Sequence, residues 1–357
     1  MNDFSPYCSV SHAGKLIACC LAKNIPFYAC RYPGESQCRC GVQLYGIPIH
    51  EVANGFNVVP FDVKGDMPAF TICPDVYIDK LDMLQSVSNR NVIYKEWHDE
   101  DIDKDTYLEK ASLLIKRMRE GAIDKVVLSR TITRECDTET ILPHYFTKLC
   151  LLYPSAYIFI VSYPGVCGWI GATPEILISS HREGYETMAL AGTRRVGTIG
   201  AWGEKEKQEQ QYVAQYITDI LRDCGLDNVD ISTYTKVAAQ VEHLCTRFDI
   251  TTCHDTSVRD RLVAALHPTP AVAGTPSVAA MKVIADIENH SRRYYGGYVG
   301  ERFDDGRCGL YVNLRSMEFN SHAMRLYVGG GLTAQSNPID EWNETCAKAQ
   351  TLLSAFQ

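Results

Sequence analysis

The sequence lacks any apolar run approaching the roughly 20 residues a helix needs to cross a bilayer, so no membrane role is expected. It also lacks a basic excess. Its 35 Lys and Arg stand against 43 Asp and Glu, a formal net charge of −8. That balance argues against nucleic acid as the main partner. An anionic small molecule would have to be met by a local basic pocket. There is no C-x-x-C pair among the 15 cysteines, which disfavours a zinc site or a disulfide framework and favours a thiol-rich cytoplasmic protein. A metal cluster built from Cys30, Cys38 and Cys40 is the alternative. Residues 1–4 carry no basic region of the kind a secretory signal needs, which again leads to a cytoplasmic expectation. Repeats, low-complexity tracts and a linker-like break are absent too. With 46% hydrophobic and 22% charged residues, this is the profile of a soluble globular chain.

Many Gly-bounded strand patterns with helices between some of them favour a single α+β domain with large, mostly antiparallel sheets. We divide it into residues 1–94, strand-rich and poor in signals, and 95–357, which carries the chemistry. In the first part only Phe56–Phe61 and Ala69–Ile72 read as short strands. From Thr106 a capping box with Glu109 opens a helix striped by Leu108, Ala111, Ile115 and Met118. Asp124–Arg130 then reads as a strand, with Lys125, Val127 and Ser129 on one side. If that side lines a cavity, low polarity favours the neutral amine and Lys125 becomes a usable base; otherwise it is a lysine at a solvated strand start. Ala156–Val161 and Cys167–Ile170 read as a hairpin around Pro164-Gly165. Glu175 follows, embedded between Pro174 and Ile176-Leu177. That setting suits either a carboxylic acid kept protonated or a structural ion-pair partner. Met188–Arg195 is a further strand, ending in a Gly192-Thr-Arg turn suited to an anion.

Two helices carry acids where apolar residues belong. Between Gly203 and Cys224, Glu206 and Glu209 prolong the face of Val213, Ile217 and Ile220. Near the C-terminus the run Arg325–Val328 reads as a strand ending at Gly329-Gly-Gly331. A helix capped by Ser336 or Asn337, with Pro338 at its first position, follows. On it Glu341, Glu344, Lys348 and Leu352 share one face. Either helix alone could be an ordinary charged surface, with macrodipole or Glu–Lys pairing as the reason. The pair together suggests a hard divalent cation held by few protein oxygens. Between them Val241-Glu-His243 leads into a strand or turn, Ala264–Pro276 reads as a rigid proline-punctuated loop, and Val278–Ile287 as a helix. Tyr294–Gly300 and Leu310–Arg315 read as strands, the latter with an arginine of solvated type.

Taken together, Asp124–Arg130, Gly171–Glu175, Leu190–Arg194, His267–Ala271, Tyr295–Gly297, Leu314-Arg315 and Gly329–Lys348 resemble the chorismate-utilising enzymes, and within them the isochorismate synthases. The resemblance runs from about Leu108 to Leu353. It implies two stacked antiparallel sheets with helices outside and a Mg²⁺-dependent chorismate site. Carried over, Lys125 would activate water for attack at ring carbon 2, and Glu175 would protonate the departing 4-hydroxyl. Glu209 and Glu344 would hold Mg²⁺, supported by Glu206 and Glu341. Tyr295, Arg315, the Gly329 backbone and Lys348 would take the enolpyruvyl carboxylate. Gly192 and Thr193 would meet the ring carboxylate, His243 would lie near the ring, and Ala271 and Leu314 would complete the substrate pocket. Gln210 departs from relatives that carry histidine after the metal glutamate.

Residue chemistry separates the sister reactions. The resemblance implies glutamine at the position of Lys125 in ammonia-using relatives, a nucleophilic lysine at Ala191 in aminodeoxychorismate synthases, and threonine at Ala271 in salicylate synthases. Lys125, Ala191 and Ala271 together point to water addition that stops at isochorismate, destined for menaquinone or siderophore synthesis. A salicylate synthase and a catalytically silent chorismate-binding protein are the alternatives. A monomer is expected, a dimer being the other state considered.

Overall fold

The computed structural model describes residues 6–76, 84, 86–92, 96–121, 123–238, 241–252 and 254–356. In chain order the elements begin with β1 (Tyr7–Cys8), α1 (Val10–Ala22), β2 (Phe27–Arg31), β3 (Cys38–Val42), β4 (Gly55–Val59) and β5 (Phe70–Ile72). Next come α2 (Lys104–Arg119), β6 (Lys125–Glu135), α3 (Thr138–Leu152), β7 (Tyr157–Tyr163), β8 (Cys167–Thr173), β9 (Ile176–His181) and β10 (Gly184–Arg195). They continue with α4 (Glu204–Asp223), β11 (Val229–Ala238), β12 (Val241–Thr251), α5 (Thr256–Leu266), β13 (Gly274–Thr275) and α6 (Ser277–Ile287). The last are β14 (Tyr298–Arg302), β15 (Cys308–Val312), β16 (Ser316–Phe319), β17 (Ala323–Thr333) and α7 (Pro338–Leu353).

The strands form two sheets. One has nine, in the order β1-β3-β2-β7-β8-β16-β17-β6-β13, and the other eight, in the order β11-β12-β10-β9-β15-β14-β4-β5. The sheets stack, and the residues between them are mostly aromatic: Tyr28, Phe56, Phe70, Tyr157, Phe159, Trp169, Tyr311 and Tyr327 form one core. The sequence dictates this through β7, where Tyr157, Phe159 and Val161 face the opposite sheet while Ile158 and Ile160 face the helices. Both faces are buried, so the strand is apolar throughout. Outside the first sheet lie α1, α3 and α7, and the remaining helices pack mainly against the second sheet and the β6–β17 end of the first. The α+β reading with stacked antiparallel sheets and outer helices holds.

Several local expectations change. The α2 cap is Asp103, whose carboxylate accepts from Thr106 N at 2.9 Å, so Thr106 is the capped residue and not the cap. The strand before α7 does not stop at the glycines; β17 runs through them and pairs with β6 over eleven residues. Ala264, Ala265 and Leu266 close α5, and Gly274-Thr275 pairs with Lys125-Val126, so only the middle of that loop is irregular. Tyr294–Gly297 turns before β14 begins at Tyr298, and β15 ends at Val312, three residues short of Arg315. The N-terminal stretch gives α1 and three strands to the first sheet and β4 and β5 to the second. Cys30 pairs with Arg39, which puts it on the face opposite Cys38 and Cys40, so these three thiols do not converge. Residues 1–4 and the division near residue 94 fall outside the described residues.

Candidate active site

Where β6, β10, β12 and β17 approach α7, the aromatic packing between the sheets gives way to a cavity. Glu175, Thr193, Glu209, His243, Ala271, Tyr295, Leu314, Arg315, Gly329 and Lys348 all line it. Along β17 the residues Tyr327, Gly329 and Gly331 point the same way. The glycines are needed for space. A Cβ on Gly331 would lie 2.1 Å from Glu209 Oε1 and 3.0 Å from Lys125 Cε; on Gly329 it would come within 3.0 Å of the Tyr295 hydroxyl. Gly330 faces the other way, against Glu341 Oε2. Bare backbone here makes room for a buried ion pair.

That pair is Lys125 and Glu209. Lys125, the first residue of β6, is fully buried, with its Nζ 3.2 Å from Glu209 Oε1. Burial works against ionisation of Glu209, but Lys125, Lys205 and Lys348 outweigh it and hold the carboxyl below its usual range. Glu175 has the opposite fate. It sits in the turn between β8 and β9, where Pro174 offers no N–H, and its Oε1 is buried without a hydrogen-bond partner. Desolvation pushes its pKa up to about 8, against the pull of Lys125, Lys236, Lys348 and Arg315. At neutral pH Glu175 therefore carries a proton and can give it away.

The opposite wall is basic and fixed in tautomer. Arg315 has φ 46°, which swings its side chain inward instead of along a strand. Its guanidinium donates to Ala238 O at 2.8 Å and to His243 Nε2 at 2.7 Å. Burial, with Arg315 and Lys348 nearby, pushes His243 well below its usual pKa. The ring is thus neutral, with its proton on Nδ1, directed at Thr193 Oγ1 3.1 Å away. That leaves the Thr193 hydroxyl free to donate into the cavity. Burial pulls Arg315 down to about 10, still cationic at neutral pH. Gly192, just before Thr193, has φ 72°, and a Cβ there would strike the Glu206 carbonyl at 2.7 Å, so the turn can press against α4 only as glycine.

On α7, Lys348 Nζ reaches Gly329 O at 3.0 Å and Glu344 Oε1 at 2.7 Å. Glu341 is fully buried; one oxygen accepts from Lys205 at 2.5 Å and the other has no partner. Desolvation and Glu344 push it up to about 7, against Lys205. Glu206 does not join this layer: it packs by Gly192 and Gly203 and, with Glu344, lines an outer hollow of ≈ 980 Å³. Among the described residues no preformed cluster of three or more metal-ligating side chains exists. Yet Glu344 and Glu209 both press on the Glu341 carboxyl by repulsion, and Glu341 keeps a bare buried oxygen. That donor set fits a hard divalent cation.

Three residues of the site went unpredicted. Tyr327, stacked on Tyr295 at 5.5 Å, follows from alternation with Gly329 once β17 is known to continue. Lys205 was hidden in the run Glu204-Lys-Glu-Lys207, which reads as solvated charge. Lys236 lies on a strand whose other residues are mostly exposed.

Residues 76–357 match the family described as Chorismate binding enzyme. The chain is 31% identical over 245 residues to the isochorismate synthase EntC of Escherichia coli (strain K12), covering 66% of this chain and 62% of that protein. It is 30% identical over 271 residues to the isochorismate synthase MenF of Bacillus subtilis (strain 168), covering 72% of this chain and 56% of that one. The matched stretch thus spans less than two thirds of each relative. The fold is that of the menaquinone-specific isochorismate synthase MenF from Escherichia coli, with a TM-score of 0.78 at 20% identity over 98% of this chain and 91% of the other. Motifs, fold and family match coincide over the same residues, and the chain belongs to the chorismate binding enzymes.

Proposed function

We propose that this cavity interconverts chorismate and isochorismate in a Mg²⁺-dependent, reversible reaction. The observation that carries the reading is a buried, protonated glutamic acid in the wall of a cavity that also presents Arg315 and Lys348, with buried Lys125 just behind Glu209 of the same wall. Water adds to ring carbon 2 as Lys125 takes its proton, a role that requires Lys125 as the neutral amine and not as the ammonium paired with Glu209. The ring double bond shifts, and the C4–O bond breaks as Glu175 protonates the leaving hydroxyl. One water enters and one leaves, and the reverse reaction uses the same two groups in exchanged roles. Arg315, Lys348 and Tyr295 hold the enolpyruvyl carboxylate, and the Thr193 hydroxyl donates to the ring carboxylate. Glu209 and Glu344, with Glu341 beside them, would hold Mg²⁺, which supplies positive charge for the ring carboxylate when bound.

Ala191 and Ala271 both sit in this cavity wall. Neither supplies the nucleophile or hydroxyl that the sister reactions imply, which supports a reaction ending at isochorismate over a salicylate synthase. The name of the menaquinone-specific neighbour points to menaquinone synthesis as one use of the product, with siderophore synthesis as the other. Incubation with chorismate and Mg²⁺ is expected to give isochorismate at equilibrium with chorismate from either side. Salicylate and pyruvate as main products would replace this reading with the lyase, and chorismate binding without turnover would replace it with the silent binder.

A further inference from the structure

One lysine near the acid has no place in this mechanism. β11 is an edge strand of the second sheet, and Ile231, Tyr234 and Val237 on it are 57%, 42% and 51% exposed. Lys236 breaks that pattern. It pairs in register with His243 of β12, so it shares the inward face with that histidine. Its Nζ donates to Pro174 O at 2.8 Å and lies 3.6 Å from Met188 Sδ. A lysine that prefers a buried carbonyl and a thioether to open water, on a strand with solvent at hand, is held there by something that repays its desolvation.

We propose that Lys236 is a positioning residue for the catalytic acid: it pins the Pro174–Glu175 peptide through the Pro174 carbonyl and fixes a cation behind the Glu175 carboxyl. This deepens the reading given above and rests on Glu175 being the acid. The attraction is mutual: Lys236 draws Glu175 down against desolvation, and Glu175 draws Lys236 up while burial lowers it. Glu175 also feels Lys125 from β6, Lys348 from α7 and Arg315 from the turn after β15. Neutral His243 and the Tyr295 phenol share its cavity. Lys236 in turn faces Cys245, Glu186 and Arg247. Lys125 is committed to the attacking water, and Arg315 and Lys348 are engaged once an anionic substrate fills the cavity. Lys236 does not line it, so its hold on Glu175 persists through turnover and keeps the proton from being held too tightly to release.

The test is Lys236→Gln, which keeps a donor for the Pro174 carbonyl and removes the charge, with Lys236→Arg as the restoring variant. The alkaline limb of kcat/KM, where Glu175 loses its proton, is expected to move up by about one pH unit in the Gln variant and to return in the Arg variant. In ligand-free enzyme, the infrared band of the protonated carboxyl that Glu175→Gln abolishes is expected to persist to correspondingly higher pH in Lys236→Gln. An unmoved limb and an unmoved band overturn the proposal. Near-full turnover by Glu175→Gln would instead overturn the assignment of the acid. Loss of turnover in Glu175→Gln beside an unshifted Lys236→Gln leaves the assignment standing and removes only Lys236.

Discussion

The gap between the two sheets holds a buried glutamate at either end, and the two are treated in opposite ways. Glu301, on β14, accepts from the Tyr28 hydroxyl at 3.1 Å, the Tyr32 hydroxyl at 3.0 Å and Arg39 Nη1 at 3.1 Å. Around it Tyr28 stacks on Phe56 at 4.5 Å and Tyr157 on Tyr311 at 3.9 Å. Glu175 is as deeply buried, yet one of its oxygens has no partner and its surroundings open into the cavity. Burial alone therefore says little about role. A buried acid with its hydrogen bonds met is part of the frame, and one left short is available for chemistry.

The sharpest way to break this contrast is to neutralise the unsatisfied acid. Glu175→Gln keeps the shape and removes the transferable proton, so turnover is expected to fall by roughly 10²–10⁴-fold, the usual worth of a positioned acid. The fold should not suffer. The raised pKa means the native state binds this proton more tightly than the unfolded chain. Its stabilising effect is full below the unfolded value of 4.5 and is lost as pH rises through about 8. Thermal unfolding of wild type and Glu175→Gln between pH 6 and 9 checks this: the variant should gain relative stability as pH rises. The same proton predicts wild-type turnover that declines above about pH 8, and a flat profile to pH 10 would remove Glu175 from the acid role.

Lys125→Gln attacks the partner group. Water addition should drop on a comparable scale, roughly 10²–10⁴-fold, while chorismate binding, read by calorimetry, remains. Retained turnover would refute the base assignment. A smaller effect is expected on the helix that carries the metal candidates. Glu344→Ala removes one oxygen donor and the partner of Lys348, and half-maximal activation should need roughly 10–100-fold more Mg²⁺. A titration superimposable on wild type would rule out the ligand role.

These groups were legible to different degrees. The acid faces of α4 and α7 showed in the spacing of Glu209, Glu341, Glu344 and Lys348, because helical periodicity survives even when the buried residues are charged; Glu206 shared that spacing and yet lies outside the layer. The β7–β8 hairpin showed in the Pro164-Gly165 turn. Cys30 and its neighbours could not be sorted, since which face a β2 or β3 residue takes depends on a register set by strands far along the chain. The same holds for β2 and β3, where burial on both sides erases alternation: every residue of Phe27–Arg31 is buried. Arg315 read as solvated because its inward turn comes from a left-handed backbone at that residue, which no side-chain pattern announces. The glycines of β17 read as the end of a strand that in fact runs through them. Their role is to leave volume for Lys125 and Glu209, a requirement imposed by β6 and α4.

The smallest expected effect tests the other half of the contrast. Glu301→Gln leaves Arg39 without its ion-pair partner at that site and replaces an acceptor oxygen with an amide donor facing two phenols and a guanidinium. The cost should be about 1–3 kcal/mol, the usual penalty for stranding buried polar groups, seen as a lower denaturation midpoint with unchanged slope. Because aromatic packing separates this end of the gap from the cavity, kcat and KM for chorismate should stay within about twofold of wild type, as expected for sites with no shared partners. A variant with wild-type stability but impaired turnover would invert the assignment of the two glutamates. It would mean that a fully satisfied buried acid can be as functional here as an unsatisfied one.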